Sequence, residues 1–292
     1  VSGTAGDSSP GSVSNIKLLI KNTTQTKWWD SGGGAWDTTA PTWFFVTSGT
    51  SSWTYNSTPV TWTQFGNGDN FLIQSKATDD ANNVETPSVG ISFTFDNVNP
   101  SSVLILPSNT ATYNSSGTIT GTAGDASTGI NLVQVSIKAN VDTTYWTGSS
   151  WTSAETYVNA SGLNSWNYTS PSYTSGNSYV VRSRAKDNAN NTESVGVGNT
   201  FTFDNITPSS VMVAPTDNGK YKALAVITGT ATDATSTLQF VQVSIKNETD
   251  TKYWNGSAWD TSLTEGTSWI NATGQDNWTY GATTRENNKN YF

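Results

Sequence analysis

Apolar and polar residues alternate along this chain in short runs, and almost nowhere at helical spacing. The clearest run is Tyr179-Val-Val-Arg-Ser-Arg-Ala-Lys186, with Tyr179, Val181 and Ala185 in one phase and Arg182, Arg184 and Lys186 in the other. A period of two puts these sets on opposite faces of a half-buried strand. Val133, Val135 and Ile137 alternate with Gln134, Ser136 and Lys138 in the same way. Shorter runs surround them: Val103-Leu-Ile105-Leu between Pro100 and Pro107, Tyr113, Ile119 to Ala123, Tyr145-Trp146 and Trp151 about a glycine turn, Trp166-Asn-Tyr168, and Phe201-Thr-Phe203. Proline at both ends of a run suits an edge strand, where the missing N–H removes no ladder bond. About seven short strands with turns between them predict an all-β unit, an antiparallel β-sandwich of the immunoglobulin-like kind.

The same words then return. Ile119-Thr-Gly-Thr-Ala-Gly-Asp125 comes back as Ile227-Thr-Gly-Thr-Ala-Thr-Asp233, and Val133-Gln-Val-Ser-Ile-Lys138 as Val241-Gln-Val-Ser-Ile-Lys246, each 108 residues on. A looser copy opens the chain, Val1-Ser-Gly-Thr-Ala-Gly-Asp7 followed by Ile16-Lys-Leu-Leu-Ile-Lys21. Repetition at this period predicts a tandem array of self-sufficient cores. The units read as 1–96, lacking its first strand, 97–204, complete, and 205–292, lacking its last strands. Between the first two units the step slips to 117 at Trp29 and Trp146, with Gly32-Gly-Gly34 and Trp43-Phe-Phe45 among the added residues, so a loop insertion is expected there. Val1 stands in mid-repeat, which leaves room for a leader and further repeats before it. A partial sandwich exposes an apolar face and an open strand edge, so strands supplied by a neighbouring subunit are expected to complete the outer units.

Composition narrows the class. Aromatic residues make up 12% of the 292 residues, too many for a disordered linker, although only 12% are charged. Net charge is −8 with no basic cluster, which argues against nucleic acid and anionic membranes as partners and leaves cations as counter-species. Cysteine and histidine are both absent, closing the disulfide, thiolate and imidazole routes to metal binding and catalysis. No apolar run reaches the roughly 18 residues of a membrane-spanning helix. Neither a phosphate-cradling glycine loop nor a nucleophile elbow is present, so an enzyme is not expected. An accessory domain of a secreted hydrolase is a remote alternative. Lys138 and Lys246 are of the type that joins Asn and an acid in an internal isopeptide bond, but their outward phase argues against it.

Gly121-Thr-Ala-Gly-Asp125, Val-Gln-Val-Ser-Ile-Lys138, Tyr145-Trp-x-Gly-Ser-x-Trp151, Arg184-Ala-Lys-Asp-Asn-Ala-Asn-Asn191 and Phe203-Asp-Asn-Ile-Thr-Pro208 together resemble the tandem immunoglobulin-like repeats of prokaryotic surface proteins, large adhesins and filament or sheath components. The resemblance implies an extracellular or cell-surface location. It also implies calcium at the domain junctions, on the matching residues Asp79 and Asp96, then Asp187 and Asp204. Asn190 stands where related turns carry glycine.

Calcium takes about six to eight oxygens, so an Asp from a strand-end turn and one from a link would need carbonyls, Asn97 or Asn205, and Asp125 or Asp233. The plainer reading has these Asp and Asn side chains capping turns. The tryptophans Trp29 and Trp36, Trp146 and Trp151, and Trp254 and Trp259 offer flat faces to sugars or subunits, though a cross-strand packing role suits their recurrence better. Sequons place acceptors for N-glycans at Asn22, Asn56, Asn114, Asn159, Asn167, Asn190, Asn205, Asn247, Asn255, Asn271 and Asn277. The function expected is that of a non-enzymatic subunit or segment of a surface filament, stalk or coat, self-associating and meeting glycans. The alternative is an adhesin or carbohydrate-binding module using its tryptophan-rich tips.

Overall fold

The alternating runs fold as strands, and their pairing falls into three successive groups along the chain. The computed structural model describes residues 1–37, 40–46, 48–56, 66–281 and 291. The expected last stretch of the third unit, 282–290 and 292, lies outside the described residues. The first unit holds β1 (Ser2–Thr4), β2 (Val13–Asn22), β3 (Lys27–Asp30), β4 (Ala35–Asp37), β5 (Phe44–Phe45), β6 (Ser52–Thr54), β7 (Asn70–Asp79) and β8 (Ile91–Thr94). The second holds β9 (Ser101–Leu106), β10 (Ala111–Tyr113), β11 (Thr118–Gly124), β12 (Ile130–Ala139), β13 (Thr144–Trp146), β14 (Trp151–Thr152), β15 (Val158–Asn159), β16 (Ser161–Gly162), β17 (Ser165–Thr169), β18 (Ser178–Asp187) and β19 (Asn199–Phe203). The third holds β20 (Ser209–Ala214), β21 (Val226–Thr232), β22 (Gln242–Val243), β23 (Lys246–Asn247), β24 (Lys252–Trp254), β25 (Trp259–Asp260), β26 (Ile270–Asn271) and β27 (Asn277–Gly281). Among the described residues every strand pair stays within one unit.

The middle unit shows the design. One sheet runs β16-β17-β11-β9 and the other β10-β19-β18-β12-β13-β14, with β15 also on β12. Their inner faces close on Ile119, Val133, Val135, Ile137, Trp166, Tyr179, Val181, Phe201 and Phe203, all buried. The strand β18 alternates in burial along its whole length, as its period of two requires. Two features depart from a plain antiparallel sandwich of about seven strands. Short strands raise the count, and β10 pairs in parallel with β19, Tyr113 opposite Phe203. The chain leaves the first sheet after β9 and joins the second at β10, so one edge of the sandwich is closed by a segment shared between its sheets.

The repeated Thr-Gly-Thr has a steric cause. Gly121 lies opposite Trp166 on β17, and a Cβ there would come within 2.2 Å of the indole ring. Gly3 meets Trp53 and Gly229 meets Trp278 in the same way, at 2.4 and 2.1 Å. Only glycine lets the ring lie flat on the backbone. A second tie also recurs: an indole N–H donates to a tyrosine hydroxyl at Trp29 to Tyr55 (3.2 Å), Trp146 to Tyr168 (2.9 Å) and Trp254 to Tyr280 (3.0 Å). These bonds pin the hairpins β3–β4, β13–β14 and β24–β25 to the opposite sheet.

Candidate cation site at the unit junction

Three carboxylates meet where the first unit hands over to the second. Asp96 lies in the link, Asp125 just past the end of β11, and Asp187 at the end of β18; one oxygen of each lies within 4.8 Å of the others. The fold brings them together because β18 runs back to the pole at which the link enters its own unit. Asp79 ends the equivalent strand of the first unit. The structure therefore joins Asp96 to Asp187 and Asp125, not to Asp79, linking one unit's exit to the next unit's turn.

Local hydrogen bonds aim the oxygens. Asp125 Oδ2 accepts the N–H groups of Ser127, Thr128 and Gly129 at 3.0, 2.8 and 2.9 Å. Its Oδ1 is buried with no hydrogen-bond partner among the described residues. Asp187, fully buried, accepts the backbone and side-chain N–H of Asn191, both at 2.8 Å. The turn that makes this possible has Asn190 at φ 74°, so asparagine holds the left-handed position that related turns give to glycine. Asn82 does the same at φ 69°, where Asn83 donates twice to Asp79 at 2.7 Å. Asp96 accepts from Val98 N–H at 3.1 Å and from the N–H and hydroxyl of Thr128. Burial alone would raise the Asp96 carboxyl, yet donors led by Thr128 hold it below the ordinary carboxylate range.

Each ligand oxygen lies about 2.3–2.6 Å from a bound calcium ion, so two oxygens on one ion stand no more than about 5.2 Å apart. The three acid oxygens, all within 4.8 Å of one another, meet that bound, and Asp125 Oδ1, with no partner among the described residues, is a ready ligand. The second junction carries two of the counterparts, Asp204, buried, and Asp233, whose oxygen accepts from Thr235 and Ser236 N–H at 2.9 and 2.8 Å. Hydroxyls of Ser236 and Thr235, then the Ile206 N–H, pull the Asp204 carboxyl from 3.8 down to about 2. A group with its folded pKa below the unfolded one gives stability that is complete above about pH 4 and lost as pH falls toward the folded value. The melting temperature of Asp204→Asn is therefore expected to fall less steeply than that of the parent between pH 4 and 2. Equal slopes would remove Asp204 from the acid response.

The aromatic candidates are built into the scaffold. Trp29 and Trp254 are buried, and Trp36, Trp146, Trp151 and Trp259 are half-buried, each pair meeting edge to face or tilted at 5.4–5.5 Å. A shallow cleft of about 410 Å³ beside Trp146 and Tyr168 includes Asn159 and Asn167. Of the sequon asparagines, Asn22 and Asn247 are buried with their amides donated to Asp69 and Asp250, out of reach of a glycan in the folded chain. Asn56, Asn114, Asn159, Asn167, Asn190, Asn205, Asn255, Asn271 and Asn277 are exposed. Lys246 pairs with Glu248 at 3.0 Å. Among the described residues no helix is long and apolar enough to cross a membrane.

These sheets define a class: an all-β chain of immunoglobulin-like β-sandwich modules in tandem. No known protein family and no curated protein sequence matches the chain. Solved structures with similarity include the fibronectin(III)-like modules of CbhA from Clostridium thermocellum, at 15% identity and a TM-score of 0.30, covering 70% of this chain and 84% of that one. The FN1-FN3 domains of chicken CNTN1 are similar at 11% identity and the same TM-score of 0.30, covering 96% of this chain and 82% of that one.

Proposed function

We propose that this chain is a non-enzymatic, extracellular segment of a prokaryotic surface filament, stalk or coat, in which sandwich modules in series carry length and the junctions set stiffness. The observation that supports this reading most directly is the convergence of Asp96, Asp125 and Asp187 at the first junction. Two of the three belong to the following unit, so a cation held there ties the link to that unit. Ca²⁺ supplies the charge that three neighbouring carboxylates lack. Further contacts across the same junction, such as Asn191 Nδ2 to the Asp96 carbonyl at 3.1 Å and Asn67 Nδ2 to Ser127 Oγ at 3.3 Å, suit a link meant to be held. Strand exchange between copies would cover the flank of the third unit, where Met212 is exposed although its counterpart Leu104 packs on the core. The burial of Trp29 and Trp254 favours the scaffold over an adhesin that stacks sugars on every unit's tryptophans.

The test is calcium itself. Adding it to chelator-treated chain is expected to raise the melting temperature and lengthen the particle seen by small-angle scattering. An unchanged melting curve and scattering profile would end the calcium-stiffened version.

A further inference from the structure

The first unit carries a second site on the outer face of its larger sheet. Ile16, Leu18 and Ile20 of β2 face the core, so Asn15 and Lys17 share the opposite face. Lys17 lies directly opposite Lys76 of β7 on one side and opposite Phe45 of β5 on the other. One rung across three strands thus reads lysine, lysine, phenylalanine. Trp43, two residues before Phe45, shares its phase, and the Lys76 ammonium stands 4.3 Å from the Trp43 ring centre while that of Lys17 stands 4.6 Å from Phe45. Phe45 is 59% exposed.

Like charges directly opposed across an antiparallel pair destabilise it. Neither lysine has an acid at ion-pair distance among the described residues. The same rung of the second unit is closed internally. Gln134 stands opposite Arg184 and accepts from its Nε at 3.0 Å, Arg184 covers the Tyr157 ring at 3.7 Å, and on the neighbouring rung Arg182 pairs with Glu155 at 3.2 Å. The first unit has exchanged that closed set for two open cations on an aromatic platform, in the region where the repeat register slips by an insertion.

We infer that Lys17, Lys76, Trp43 and Phe45 form a binding site for an acidic saccharide, a uronate-type sugar within a polysaccharide. Its carboxylate lies between the two ammonium groups, and a C–H face of its ring packs on Phe45. A net charge of −8 disfavours densely charged chains such as nucleic acid, whereas carboxylates separated by neutral rings meet one local pair of cations. The inference does not depend on polymerisation of the array or on calcium at its junctions.

Titration of the full chain with a galacturonate hexamer, its methyl ester, dextran and inorganic phosphate tests it. Binding of the acid oligomer is expected, falling roughly tenfold or more in the double variant Lys17→Gln, Lys76→Gln and by a similar factor on esterification. Phe45→Ala, a surface change checked for retained fold by circular dichroism, is expected to weaken the acid oligomer while leaving weak phosphate binding unaltered. The proposal is overturned if the parent does not bind the oligomer or the lysine variant binds it equally. It is overturned too if phosphate or dextran binds as tightly as the acid oligomer.

Discussion

Trp166→Ala is expected to unfold the middle unit well below the melting temperature of its parent. The ring is 2% exposed, lies flat on Gly121 and is part of the core shared by both sheets. Its indole nitrogen has no hydrogen-bond partner among the described residues, so its value is packing and apolar area. Truncating a buried Trp or Phe to Ala costs about 3–5 kcal/mol, from a total of about 5–15 kcal/mol for a domain. At about 4–8 °C per kcal/mol, the shift is on the order of 20 °C. Relaxation offers little relief, because the floor of the cavity is the rigid backbone of β11. The contrast is Trp269→Ala: that ring is 49% exposed and its loss is expected to stay within about 0.5 kcal/mol. Calorimetry of the two variants separates the cases. If Trp166→Ala moves no transition further than Trp269→Ala does, the ring on glycine is not the keystone of the sandwich.

That contact also marks where the sequence stops being readable. Alternation in Tyr179 to Lys186 assigns each side chain to a face, because one strand carries its own period. The step of 108 residues finds the units, since a repeated word needs no three-dimensional information. Gly121 and Trp166 are 45 positions apart, and nothing in either run says that they touch. The parallel pairing of β10 with β19 is hidden for the same reason: a three-residue strand has no period to read, and its partner is chosen by where the chain crosses between sheets. The junction was half legible. Asp79, Asp96, Asp187 and Asp204 stand out by position, but spacing does not tell which pole of a unit a strand ends on, so the sequence pairs Asp96 with Asp79 where the fold sets it beside Asp187. Asp125, a contributor by sequence, becomes the third member through its distance to the other two. The buried sequons Asn22 and Asn247 follow the same logic, for a sequon reports chemistry and not exposure.

Asp187→Asn is expected to reverse sign with calcium, and this makes it the sharper test of the junction. Without the ion, carboxylate oxygens within 4.8 Å of one another repel by at least about 3 kcal/mol per pair at an effective dielectric constant of about 20. Asparagine removes that repulsion while giving up one of the two bonds from Asn191, because its NH₂ cannot accept. A hydrogen bond to a charged group contributes about 1.5–3 kcal/mol, so in chelator the variant is expected to be as stable as its parent or slightly more so. With the ion, the balance turns. Calcium at about 100 times its Kd stabilises the parent by about 2.7 kcal/mol, and a site short of one carboxylate out of three forfeits most of that. Thermal scans of both proteins, with chelator and with calcium, therefore cross. Asp79→Asn is the matched control: it loses the equivalent bond from Asn83 in an exposed turn outside the cluster, so its calcium increment is expected to equal that of the parent. Parallel responses in the parent and Asp187→Asn would mean that the three acids hold the turns of the junction and nothing else.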